Sequence, residues 1–172
     1  LKFNFVSEID MKNRNVMLCV ETPDKFKFEI NGKEFKFIDT GYYIDKSIRK
    51  ADISDFIKIG KNEIIISGRY SQNDDVYRVL LNPNIHESQR NKLTYDTELE
   101  SIYLIGDFSV EMLGEHNYGD KRCIFAGNQF SIVETKKQID ITKITEQGYW
   151  FFSGIMELEQ KISICKEDNT KY

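Results

Sequence analysis

Apolar and polar residues alternate along much of the chain with a period of two, the spacing of a half-buried strand rather than of a helix. The alternation is first clean in Asn15-Val16-Met17-Leu18-Cys19-Val20, which sets Val16, Leu18 and Val20 on one face until Thr22-Pro23-Asp24 stops it. Phe26, Phe28 and Ile30 then alternate with Lys27 and Glu29, and Phe35 and Phe37 resume the pattern beyond Asn31-Gly32. Asn-Gly readily takes the two positive φ values of a type I′ turn, so a hairpin is predicted here. Gly41-Tyr42-Tyr43-Ile44-Asp45 and a mixed segment over residues 48–53 follow. Residues 52–60 read as a strand end entering one helical turn, with Gly60 as its left-handed exit. Residues 62–67 are rich in β-branched side chains and form the next predicted strand.

From residue 71 to residue 98 the pattern weakens. One strand is predicted over residues 76–81 and a turn at Asn82-Pro83-Asn84, in an excursion on the rim of the domain. Strand patterns return over residues 102–105, 108–110, 123–125, 130–133, 149–152 and 155–164. Helical patterns of roughly 10–15 residues do not intervene, which opposes a parallel α/β sheet. The expected fold is therefore all-β, a sandwich of two antiparallel sheets forming a single domain over residues 1–172. Composition agrees: 22 Ile, 12 Phe and 9 Tyr stand against only 2 Ala, a balance that suits pleated surfaces better than helices.

Charge removes several classes of partner. The 24 basic and 28 acidic residues give a net charge of −4 and are interspersed, whereas nucleic-acid binding draws on concentrated Lys and Arg. Basic runs are no longer than two residues, and one of them, Lys136-Lys137, reads as a solvated turn. No apolar stretch approaches the roughly 18–20 residues that span a bilayer, so neither nucleic acid nor membrane is an expected partner. Cys19, Cys123 and Cys165 are odd in number and far apart, which rules out a complete disulfide framework and a C-x-x-C pair. Cys19 and Cys165 alternate with apolar residues and are expected as buried thiols, favouring a reducing compartment such as the cytoplasm. The chain opens on Leu1, and we expect it to be a piece of a longer protein.

Reactive constellations are sparse. The two histidines, His86 and His116, sit in polar, turn-like contexts without a Gly-x-Ser-x-Gly elbow, as surface histidines do. Glu98 and Glu100 share a face if that segment is extended, where exposed solubilising charge explains them. Asn73-Asp74-Asp75 offers oxygens to a hard cation, but EF-hand spacing is absent and a polar turn accounts for it. Neither a Walker loop nor Gly-x-Gly-x-x-Gly occurs. We assign no catalytic residue, metal or cofactor, and expect a module that is not itself an enzyme.

Two aromatic groups remain as candidate ligand platforms. Gln147-Gly148-Tyr149-Trp150-Phe151-Phe152-Ser153-Gly154 holds the single tryptophan, and an aromatic ring can stack on the C–H face of a sugar while amides and carboxylates bind its hydroxyls. If that run is a strand, its residues alternate faces and at least two belong to the core. Tyr42-Tyr43 poses the same choice between core and rim, with Asp45 as a polar partner. The candidate carbohydrate-binding residues are thus Tyr42, Tyr43, Asp45 and Trp150.

The order of segments carries a resemblance. Phe28-Glu29-Ile30-Asn31-Gly32-Lys33, Asp45, Ala51-Asp52-Ile53 and Ile57-Lys58-Ile59-Gly60-Lys61-Asn62-Glu63-Ile64-Ile65 together resemble the galactose-binding-like jelly-roll domain that accompanies glycoside hydrolases. The resemblance is particularly to family 2 sugar-binding domains and α-L-rhamnosidase-type proteins, and residues 14–67 carry its closest match. Residues 100–108 and 147–154 look like segments of large relatives of these hydrolases. The resemblance implies a jelly roll that binds carbohydrate or positions a neighbouring catalytic domain of the same chain. The catalytic carboxylates of such hydrolases lie on that separate domain, so none is carried over here. Asn31-Gly32, Gly60 and Asn62 have structural work in either case: a hairpin turn, a turn exit and a side chain that hydrogen-bonds local backbone.

Overall fold

The computed structural model of the chain describes residues 1–97, 102–120, 123–127 and 129–163. The strands are β1 (Lys2–Ser7), β2 (Met17–Glu21), β3 (Lys27–Ile30), β4 (Lys33–Phe35), β5 (Tyr42–Tyr43), β6 (Asp45–Asp52) and β7 (Gly60–Ser67). Two helices follow, α1 (Asp74–Leu81) and α2 (Glu87–Arg90). The remaining strands are β8 (Ile102–Ile105), β9 (Ser109–Met112), β10 (His116–Tyr118), β11 (Ile124–Ala126) and β12 (Phe130–Val133). They form a six-stranded sheet in the order β4-β3-β7-β1-β12-β9, a four-stranded sheet in the order β5-β6-β2-β8, and the separate hairpin β10-β11. The molecule is mostly β, as expected.

The two larger sheets face each other across one apolar core. Val16, Leu18, Val20, Ala51 and Ile53 project from the four-stranded side, and Phe28, Ile30, Phe35, Ile64, Ile66 and Ile132 from the six-stranded side. The alternation of β7 shows why: Asn62, Ile64 and Ile66 are buried while Lys61 and Ser67 are exposed. The predicted hairpin forms between β3 and β4, with Asn31 at φ 52° and Gly32 at φ 77°, the paired left-handed values of a type I′ turn. Residues 54–56 make a single 3-10 turn, as expected, but it exits through Ile57 in an extended conformation; Gly60, left-handed at φ 92°, is instead the first residue of β7.

The structure corrects several expectations. Pairing is not wholly antiparallel, because β1 lies parallel to β12, with Val6 beside Ser131 and Ser7 beside Ile132. Residues 76–81 are helical rather than extended. Asn73 caps α1 by accepting a hydrogen bond from the Val76 N–H at 3.1 Å, and Asp74 and Asp75 occupy the first turn, where negative charge suits the helix dipole. That arrangement also explains Asn73-Asp74-Asp75 without a cation. Residues 149–152 are not a strand either. Gly148 turns the chain at φ 108°, Tyr149 N–H donates to Thr145 O, and Phe152 N–H donates to Tyr149 O, so these aromatics coil in successive turns. Residues 155–163 have no regular structure and Ile155 is fully solvent-exposed. Cys19 is buried as expected, whereas Cys165, Ile164, Glu98 and Glu100 lie outside the described residues.

Candidate functional site

A concavity opens where the β3-β4 edge of the six-stranded sheet faces β6 of the other. This cleft of about 610 Å³ is lined by residues 23–24, 26–28 and 34–37 together with Asp39 and Arg49. Its apolar wall follows from the strand alternation. Phe28 and Phe35 are cross-strand partners on the core side of the hairpin, and Phe37 extends the series beyond β4. The rings interlock, edge to face for Phe28–Phe35 and Phe35–Phe37 at 6.4 Å and Phe35–Phe56 at 5.1 Å, and tilted by 39° for Phe28–Phe37 at 5.2 Å. Contacts of this kind contribute roughly 0.5–1.5 kcal/mol each beyond area burial. Phe28 and Phe35 are almost entirely buried, whereas Phe26 and Phe37 are half-buried.

The polar side of the cleft is organised around one ion pair. Arg49 donates from Nε to Asp39 Oδ2 at 2.7 Å and approaches the same oxygen with Nη2 at 2.6 Å, while Nη1 donates to Lys46 O at 3.4 Å. Asp39 Oδ1 accepts from the Gly41 N–H at 2.8 Å. That backbone bond and the Arg49 guanidinium together hold the Asp39 carboxyl below the usual carboxylate range. The segment carrying Asp39 crosses from β4 to β5 and is pinned at its far end, where Thr40 N–H and Oγ1 both donate to Lys50 O and Lys50 N–H donates to Gly41 O.

Of the residues picked out by sequence, Tyr42, Tyr43 and Asp45 share one hairpin at the edge of the four-stranded sheet. Tyr42 pairs with Arg49 across β5 and β6, beside the cleft, and is about half exposed. Tyr43 instead packs its ring on Tyr103 of β8 at 5.4 Å. Asp45 is engaged locally, since its Oδ1 accepts from both the N–H and the hydroxyl of Ser47 at 2.8 Å, which lowers its pKa. Ile44, between them, has φ 61°, a strained value for a β-branched residue. Trp150 stands apart from this hairpin, against His116 at 5.3 Å and Phe130 at 6.4 Å, on the β10 hairpin and β12. His116 is thus a ring-stacking residue, and His86 is an exposed position at the start of α2.

Sequence reasoning read Phe28, Phe35 and Phe37 as hairpin residues and missed that they floor a cleft. Asp39 and Arg49 gave no local signal, because their meeting depends on the crossing of the chain between sheets. Among the described residues, no group of three or more His, Cys, Asp or Glu is placed to hold a metal ion. No helix among them is long and apolar enough to cross a membrane. No family model matches the chain, and neither the curated proteins nor the solved structures include a significant match.

Proposed function

We propose that this domain is a non-catalytic accessory module with a jelly-roll topology that binds carbohydrate weakly and serves a neighbouring catalytic domain of a glycoside hydrolase-like protein. The observation that carries this reading is the cleft between the β3-β4 hairpin and β6, which joins a half-buried phenylalanine wall to a fixed Asp39–Arg49 pair. A ring wall takes the C–H face of a sugar, and fixed donors and acceptors take its hydroxyls. The segment order over residues 14–67 supports the same family of functions. Titration of the whole chain against a glycan array and a monosaccharide panel, followed by amide NMR, tests it. Binding is expected to shift resonances of Phe37, Asp39 and Arg49 and to be lost in Phe37→Ala. Trp150 lies against β12, so its emission is expected to stay unchanged. Silence across the panel would refute the carbohydrate reading.

A scaffold role is the second reading, favoured by the rings exposed around the β10-β11 hairpin. Phe125 and Phe151 are each about two-thirds exposed, with Tyr118 similarly open. Apolar surface of this kind suits a contact with an adjoining domain. Phe125→Ser and Phe151→Ser would then weaken interdomain docking in the longer protein without altering sugar titrations.

A further inference from the structure

We infer that Asp39 is an internal counter-ion that tunes the cleft to uncharged saccharides and discriminates against uronates and other carboxylate-bearing sugars. The inference rests on the carbohydrate reading above and adds the ligand class and the residue that sets it. The charged residues lining the cleft are three carboxylates, Asp24, Glu34 and Asp39, and three cations, Lys27, Lys36 and Arg49. The lining is therefore electrically balanced before any ligand arrives. Arg49 is the residue best suited to grip a carboxylate, since a guanidinium can present two parallel donors to it. Here Nε and Nη2 are already directed at one Asp39 oxygen, and Nη1 at the Lys46 carbonyl. An incoming carboxylate that takes the Arg49 guanidinium would have to displace Asp39 and leave it beside a second negative charge. An uncharged hydroxyl needs no displacement, because it can donate to the carboxylate and accept from a guanidinium edge within the existing pair. Specificity of this sort is built by making the wrong ligand pay an unpaired charge.

The test uses matched pairs that differ only at C6: the methyl glycosides of galactose, glucose and mannose, and the corresponding methyl glycosiduronates. Each is titrated by NMR into the full chain and into Asp39→Asn. The neutral member of at least one pair is expected to bind the native chain at least ~10-fold more tightly than its uronate, a difference worth ~1.4 kcal/mol. In Asp39→Asn, Arg49 loses its counter-charge, and the preference should narrow or reverse through a gain of ~10-fold or more for the uronate. Native binding of a uronate as tight as its neutral twin would overturn the inference while leaving the cleft a sugar site. An unchanged preference in Asp39→Asn, with its fold intact by amide dispersion, would overturn the role given to Asp39. Failure of all six glycosides with both proteins would remove the carbohydrate reading and the inference with it.

Discussion

Replacement of Asn62 by Ala is expected to be among the most destabilising polar substitutions in the molecule. Asn62 is 2% exposed, and its amide uses its full hydrogen-bonding capacity. Its Oδ1 accepts from Lys58 N–H at 2.9 Å and from Asn31 Nδ2 at 2.8 Å, and its Nδ2 donates to Lys58 O at 2.7 Å and Gly60 O at 3.0 Å. Asn31 continues the clasp, donating to Phe56 O at 2.8 Å and accepting from Glu63 N–H at 3.0 Å. The two side chains together tie the β3-β4 turn, the 3-10 turn and the start of β7. At about 1 kcal/mol net for each of the four bonds, truncation costs about 4 kcal/mol, a large share of the roughly 5–15 kcal/mol that stabilises a domain. For a chain of this length that corresponds to a Tm lower by about 8–16 °C. Urea and thermal melts followed by far-UV circular dichroism measure it. Asn62→Asp keeps the acceptor but aims a buried carboxylate at two carbonyls. Its deficit should shrink as pH falls and the carboxyl takes up a proton, which can then be donated. Asn31→Ala in a double-mutant cycle should couple to Asn62→Ala by about 0.5–3 kcal/mol. A loss below about 1 kcal/mol for Asn62→Ala, at an unchanged m-value, would refute the clasp.

Gly148→Ala should destabilise by about 1–3 kcal/mol, because a left-handed φ of 108° is combined with a new Cβ placed 2.6 Å from Ser109 Cβ, and a near-neutral melt would contradict it. Burial pushes the Cys19 thiol up to about 11 despite nearby Lys50, while Cys123 is exposed. Alkylation of the native chain at pH 8 should therefore modify Cys123 within minutes and spare Cys19 until urea is added, as peptide mapping would show. The Asp39 carboxyl is held low in the folded chain, so its pairing contributes fully above the ordinary carboxylate pKa of about 3.9 and fades as pH falls through the lower folded value. Asp39→Asn should accordingly lose less stability than the native chain between pH 6 and pH 2.5 in urea titrations, and equal acid losses would argue against the pair.

Much of the fold was legible wherever a local rule decides the outcome. The φ values of Asn31 and Gly32 are what an Asn-Gly hairpin demands, and the buried positions of β7 follow its period of two. Asn62, read as a local backbone partner, has that role and reaches Asn31 as well. Legibility failed where the deciding contact is distant or where two periods compete. Asp74-Asp75-Val76-Tyr77-Arg78-Val79-Leu80-Leu81 has strand-like residues, but a cap at Asn73 and a single buried contact through Val76 favour the helix. The aromatic run at residues 149–152 suggests a core strand by composition, yet Gly148 dictates a turn immediately before it. Its rings therefore do not alternate between faces: Trp150 at 6.4 Å and Phe151 at 4.8 Å gather on Phe130, and Tyr149 packs on Phe152 at 6.0 Å.

The cleft was the least legible feature, and for a physical reason. Each phenylalanine in it obeys the hairpin pattern, so sequence assigns each to the core and stops there. What opens a cleft beside them is the course of residues 36–41, which leave one sheet and are fastened to the other at Lys50. An alternation pattern specifies which face a side chain takes, but not how far the opposite sheet extends to cover it. At this edge β5 is only two residues long, so the four-stranded sheet ends early and Phe37 remains half-buried. Arg49 and Asp39 then meet beside the half-buried Phe26 and Phe37, and a polar pair beside an apolar wall arises from a mismatch in strand length rather than from any motif.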